Sequence, residues 1–202
     1  MKSGTGIIIL AAGNSSRLGQ PKQALEYEGT SLVERAAKAA LDTGCDPVYL
    51  VIGAFKDQIK KQVENLPVKL LENQEWEKGM GTSLALGIKQ LQKENSVKQC
   101  IIMLSDQPFV DTPLLNRLIA EKEKSGKGIV ACTYQKTSGV PVLFGSQYFP
   151  ILEQLKGHEG AKKVLSAHAA DIHPLAFEKG GVDIDTQADF EALKKADWEH
   201  FR

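Results

Sequence analysis

Ile7-Ile8-Ile9-Leu10-Ala11-Ala12-Gly13-Asn14-Ser15-Ser16-Arg17-Leu18-Gly19-Gln20-Pro21-Lys22 is the stretch whose reading decides the fold. It opens as a short apolar run, the mark of a strand buried on both faces of a sheet. It then breaks into Gly, Asn, Ser, Ser and Gly, residues that tolerate tight turns and leave backbone amides for other partners. Arg17 and Lys22 place two cations in that loop. A strand that empties into an amide-rich, cationic loop suits an oligophosphate. Two better-known phosphate motifs do not fit. A P-loop has four residues between its glycines and a Lys after the second; here one residue too many separates Gly13 from Gly19, and Gln20 follows. The dinucleotide fingerprint puts its glycines after the strand, whereas Gly4 and Gly6 precede the apolar run. From the loop alone, an ordinary glycine-containing turn with two solvated cations stays open.

The chain has 202 residues, the length of one domain, and enough to bury most of its apolar surface in one core. Lys plus Arg and Asp plus Glu number 25 each, a net charge of zero. Such a balance offers no surface for a polyanion and argues against nucleic acid as a partner. No apolar run approaches a membrane span, and the N-terminus lacks the layout of a secretory signal. The expectation is a cytoplasmic protein without a membrane partner. Cys45, Cys100 and Cys132 are widely spaced and form no Cys-x-x-Cys pair, which suits neither a disulfide framework nor a zinc site. Cys100 and Cys132 adjoin apolar runs and are expected as buried thiols. His158, His168, His173 and His200 show no metal-ligand spacing.

Downstream of the loop, strands and helices alternate. Ser31-Leu32-Val33-Glu34 reads as a capping box opening a helix to about Thr43, with Gly44 as its stop. Val48-Tyr49-Leu50-Val51-Ile52 is a second buried strand; a polar helix over about 56–64 and a third strand over 68–71 follow. This order requires a parallel sheet with helices on both faces. Gly79-Met80-Gly81-Thr82-Ser83 then leads into a helix over about 82–93, with Leu84, Leu86, Ile88 and Leu91 toward the core. Gly79 and Gly81 mark a second place where backbone can approach a ligand, or simply a glycine-rich helix entry.

Cys100-Ile101-Ile102-Met103-Leu104 is a fourth buried strand ending in Ser105-Asp106-Gln107-Pro108. In open α/β sheets the carboxyl ends of the strands form the ligand crevice. An acid there is placed to hold Mg²⁺, which prefers one or two carboxylates plus phosphate oxygens and water; a turn before Pro108 is the plainer reading. A helix over about 113–124, with Pro in its first turn and Gly126 past its end, comes next. The runs 129–134 and 140–144, joined by a short turn, are adjacent strands without a crossover helix and must be antiparallel. A glycine-flanked loop with His158 feeds another helix. Val182-Asp183-Ile184-Asp185-Thr186 reads as a short strand with Asp183 and Asp185 on one side, before a helix to about Phe201 that Asp185 or Thr186 would cap. The expected fold is α/β: three αβα layers around a Rossmann-like, mixed, mostly parallel sheet, its antiparallel portion in the second half.

In their order along the chain these motifs resemble the nucleotidyltransferases with a sugar-nucleotide-transferase fold, and within them the molybdenum cofactor cytidylyltransferase family. The resemblance runs from Ile7 to beyond Asp185. It implies that the first loop wraps a nucleoside triphosphate, with Arg17 and Lys22 as the catalytic cations and Leu10, Ala11, Ala12 and Gly13 against the nucleotide. It implies that Gly79 and Ser83 help hold base and ribose, and that Asp106 and Asp185 are the two metal ligands, with Asp106 also facing the nucleotide. Gly139-Val140-Pro141-Val142-Leu143-Phe144 matches a family element in the acceptor-binding region. His158 stands where the family usually carries Asp, which puts an acidic role there in doubt.

The resemblance further implies one domain over 1–202, with a nucleotide-binding part to about 127 and an acceptor-binding part over about 128–202. The implied reaction needs alignment and charge neutralisation by Mg²⁺ and the two cations more than a strong base. Ala11-Ala12-Gly13 matches the cytidylyl-transferring relatives, where the guanylyl-transferring ones have Ala-Gly-Gly. The expected substrates are therefore CTP and a molybdopterin-type acceptor, with a molybdoenzyme or its chaperone as a further partner. Another triphosphate, a sugar or polyol phosphate acceptor, and a nucleotide-binding protein without turnover remain as alternatives; an oxidoreductase is disfavoured by the missing fingerprint.

Overall fold

The computed structural model describes residues 4–15 and 21–196. Arg17, the first residues of the chain and the expected helix end at Phe201 lie outside them. In chain order the elements are β1 (Thr5–Ala11), β2 (Glu26–Tyr27), β3 (Thr30–Ser31), α1 (Leu32–Leu41), β4 (Val48–Ile52), α2 (Lys56–Gln62), β5 (Lys69–Glu72) and α3 (Met80–Leu91). Then come β6 (Gln99–Leu104), α4 (Thr112–Ser125), β7 (Ile129–Tyr134), β8 (Thr137–Gly145), α5 (Phe149–Glu153), α6 (Ala161–Ala167), β9 (Ile172–Ala176) and α7 (Gln187–Lys195).

Seven strands form the main sheet in the order β5-β4-β1-β6-β8-β7-β9. β1 lies between β4 and β6, parallel to both, with Ile7 opposite Val48 and Ile101. β8 is antiparallel to both its neighbours, and β9 is parallel to β7. One reversed strand therefore makes up the antiparallel portion of an otherwise parallel sheet.

Alternate residues of β1 feed two separate cores, as a pleated strand buried on both faces must. Ile7 and Ile9 pack with Val33 and Ala36 of α1, Ile59 of α2 and Leu115 of α4. Ile8 and Leu10 pack with Leu84 and Ile88 of α3, Leu152 of α5 and Val164 of α6. The three layers expected from the alternation are thus present. All three cysteines are buried, and none forms a disulfide. Desolvation pushes the Cys132 thiol up to about 12, so it is inert packing. Among the described residues no helix is long and apolar enough to cross a membrane.

Several boundaries correct the sequence reading. Ser31 does cap α1, its hydroxyl accepting from the Glu34 amide at 3.3 Å, and Gly126 ends α4 at φ +67°. Gly6 falls inside β1 instead of before it. α3 opens at Met80 rather than Thr82, because the Gly81 amide donates to the Gly157 carbonyl at 2.9 Å and needs no side-chain cap. Residues 182–185 pair with no strand. Ile184 is held instead by its amide on the Asp106 carbonyl at 3.2 Å and by burial in a third, smaller core with Leu25, Leu32, Phe190 and Leu193.

Candidate active site

The turn after β1 is built by carbonyls directed into the protein. Leu10 O accepts from the Ser105 amide and hydroxyl, each at 3.2 Å, and Ala12 O accepts from the Ala54 amide at 3.2 Å. The carboxamide of Gln23, 1 % exposed, donates to the carbonyls of Ala11 at 3.4 Å and Gly13 at 3.2 Å. Ser15, at φ +48°, donates its hydroxyl to Gln23 Oε1 at 3.3 Å and accepts from the Lys22 amide at 3.0 Å. Four consecutive carbonyls are thereby engaged, which leaves the amide side of the turn to meet an anion. The sequence reading missed Gln23 as the staple of this loop; its only signal was a polar side chain after Pro21-Lys22.

Lys22 begins a single 3₁₀ turn, Lys22–Ala24, and its side chain reaches across the cleft. Its Nζ lies 2.5 Å from Asp106 Oδ2 and 2.7 Å from Asp185 Oδ1. Burial acts to lower the Lys22 pKa, but the charge of Asp106 and hydrogen bonds to Asp106 and Asp185 outweigh it and raise the value above 10.5. Lys22 is a permanent cation here. Asp106 sits just beyond β6, 6 % exposed, and its Oδ1 is buried with no hydrogen-bond partner. Gln107 beside it donates to the Gly180 carbonyl at 2.8 Å and the Val140 carbonyl at 3.3 Å, tying the end of β6 to β8 and to the segment before 182.

The helix cap falls on the neighbour of Asp185, whose own carboxylate meets Lys22. The Thr186 hydroxyl accepts from the Asp189 amide, and the Asp189 carboxylate accepts from the Thr186 amide at 2.7 Å. Asp183 is exposed and does not line the cleft. Partial desolvation and the charges of Asp106 and Asp185 still push its carboxyl up to about 6.

Around these groups lies a cleft of about 600 Å³. Every expected site residue among those described lines it: Leu10, Ala11, Ala12 and Gly13 from the turn, Lys22, Gly79 and Ser83 from the α3 entry, Asp106, and Asp185. Gly79 and Gly81 approach the chain's own loop closely: a Cβ on Gly79 would stand 2.3 Å from the Gly157 carbonyl oxygen, and one on Gly81 2.8 Å from Lys156 backbone. Docking of that loop brings His158 to the cleft wall. Trp76 and Met80, not singled out in the sequence, line the same wall. Asn73 braces it, its amide donating to the hydroxyls of Thr82 and Ser83 at 2.8 Å.

The acid pair fits a divalent cation. An ammonium already bridges the two carboxylates, and Asp106 Oδ1 is a buried acceptor without a donor. Among the described residues no group of three or more His, Cys, Asp or Glu could hold a metal. An ion here would complete its shell with phosphate oxygens and water, as Mg²⁺ commonly does.

A family profile described as the MobA-like NTP transferase domain matches residues 7–172. The nicotine blue oxidoreductase of Paenarthrobacter nicotinovorans is 29% identical over 190 residues, covering 89% of this chain and 91% of its own. The molybdenum cofactor cytidylyltransferase of Escherichia coli K12 is 24% identical over 192 residues, 93% of this chain and 94% of its own. Among solved structures, Rv0371c from Mycobacterium tuberculosis H37Rv matches with a TM-score of 0.82 at 25% identity, over 96% of this chain and 100% of that one. Its complex with manganese matches with a TM-score of 0.75 at 25% identity, over 95% and 98%.

Proposed function

The chain belongs to the MobA-like NTP transferase domain family, and on that premise we propose that it is a cytoplasmic, Mg²⁺-dependent cytidylyltransferase. It transfers CMP from CTP to the phosphate of a molybdopterin-type acceptor, whose product passes to a molybdoenzyme or its chaperone. The observation that carries this reading is the meeting of Lys22, Asp106 and Asp185 beneath the amide-rich turn after β1. An acceptor phosphate oxygen attacks the α-phosphorus; the bond to the bridging oxygen breaks, and pyrophosphate leaves with the electron pair. The acceptor is already ionised, so the protein's work is positioning and charge compensation.

The amides of residues 12–14 and the cations Lys22 and Arg17 meet the triphosphate. Gly79 and Ser83, with Trp76, flank base and ribose. Asp106 and Asp185 hold the divalent ion, which when bound neutralises phosphate charge. The unpartnered Asp106 Oδ1 supports this, and the manganese complex of Rv0371c gives a precedent in a similar structure. Residues to about 127 hold the nucleotide; the remainder holds the acceptor and supplies Asp185.

CTP is preferred on the strength of Ala12, whose methyl group narrows the turn, and of the name the E. coli relative carries. The test is pyrophosphate release with CTP and GTP in turn, against a panel of molybdopterin and sugar or polyol phosphates. CTP with molybdopterin is the expected productive pair. More productive GTP, or another acceptor, overturns that half of the reading. Redox turnover of nicotine blue without any pyrophosphate release would replace it with the activity that names the P. nicotinovorans relative.

A further inference from the structure

We propose that Lys22 is the resident counter-ion of the Asp106–Asp185 pair and competes with a divalent cation for it, so that the ion binds together with a nucleotide that draws Lys22 away. The proposal deepens the reading above and rests on it for the identity of the ligands. The geometry carries it. One ammonium sits within 2.7 Å of a carboxylate oxygen on each acid. A metal held by the same two carboxylates would have to displace that ammonium, whose charge offsets one of their two negative charges.

The second oxygen of Asp106, Oδ1, is buried without a hydrogen-bond partner. The backbone of Lys22 is fixed by its amide on Ser15 and by the neighbouring Gln23 staple. Its four-carbon stem is not so constrained and can carry the charge from the acids to the turn that would hold phosphates. A triphosphate carries more negative charge than the acid pair and arrives with the amides of that turn already oriented. Moving Lys22 to it restores both acids to a divalent cation. Because coupling of this kind is reciprocal, an ion on the acids would equally release Lys22 to the phosphates.

The test is Mn²⁺ binding to nucleotide-free protein, measured by calorimetry and by the loss of the free-ion electron spin resonance signal. Lys22→Gln should bind Mn²⁺ ten-fold or more tightly than wild type, about 1.4 kcal/mol, and adding Asp106→Asn should remove the gain. Equal or weaker binding by Lys22→Gln overturns the proposal while leaving the metal site of the proposed function standing. No Mn²⁺ binding to either protein at millimolar concentration overturns both. Should Lys22→Gln not fold, wild type suffices: the ¹⁵Nζ resonance of Lys22, assigned by comparison with Lys22→Arg, should move as Mg²⁺ is raised to tens of millimolar. It should move likewise with metal-free CTP in EDTA. A resonance left in place by either ligand overturns the proposal.

Discussion

At the scale of single residues, Asp106 does two jobs with two oxygens: one faces Lys22, and the other is a buried acceptor without a donor. Asp106→Asn keeps the volume, and Lys22 keeps Asp185, so the protein should fold with a loss of about 1–3 kcal/mol. Its pyrophosphate release at limiting Mg²⁺ should collapse; wild-type rates there would rule out the metal role. Lys22→Ala separates an enzyme from a binding module. A group that offsets charge only as bonds change lowers the rate, whereas a uniform binding contact raises only the Michaelis constant. Single-turnover rates at saturating CTP should fall on the order of 10²–10³, the range for losing a preorganised charge-stabilising group. A variant that binds CTP weakly yet reacts at the wild-type rate once saturated would reduce Lys22 to a tether. These residues were legible because their types stand out beside strand ends: a Lys after Pro21, and an Asp after a fully apolar run. Gln23 was not, since a buried glutamine that holds a loop looks like any polar residue until its partners are seen.

Elements were legible where burial was symmetrical. β1 and β4 are buried throughout and β6 at all but its ends, and their apolar runs read directly as central strands. β9 was missed because Ile172-His173-Pro174-Leu175-Ala176 carries a proline and a histidine on an edge, where only Leu175 is buried. Residues 182–185 misled in the opposite sense. Val182 and Ile184 alternate with acids as a half-buried strand would, yet it is the third core that asks for Ile184. The glycines at the start of α3 were read as an approach to ligand or a plain helix entry; in the structure Lys156 and Gly157 pack against them, and Gly79 also lines the cleft. Gly81→Ala tests which effect rules. Helix propensity favours Ala by about 1 kcal/mol, but the added Cβ meets Lys156 backbone at 2.8 Å, which cannot swing aside. The variant should melt below wild type and show a raised KM for nucleotide. A higher Tm with unchanged KM would mean that the loop yields and that the junction is incidental.

For the whole molecule, the distance along the chain between Lys22 and Asp185 is what needs explaining: 163 residues separate a pair that meets at 2.7 Å. The main sheet brings the turn and Asp106 to one edge, as the parallel order required, but it does not deliver Asp185. That falls to the third core, where Leu25, three residues after Lys22, and Ile184, one before Asp185, pack with Leu32, Phe190 and Leu193. No periodicity in the sequence announces a cluster assembled from two loops, the start of α1 and α7, which is why resemblance alone suggested that Asp185 joins Asp106. The cluster's role in catalysis can be separated from its share of stability. Ile184 and Ile59 are both fully buried, Ile59 in the core beneath α2 and outside the third core. Truncation of either to Ala should cost about 2–5 kcal/mol. At a temperature where both variants remain folded, Ile59→Ala should keep wild-type kcat, because the sheet edge is intact. Ile184→Ala should lose kcat well beyond that control, since the segment carrying Asp185 loses its anchor beside the Asp106 carbonyl. Equal kcat in the two variants, each confirmed folded by denaturant titration, would show that the third core stabilises the molecule without placing Asp185.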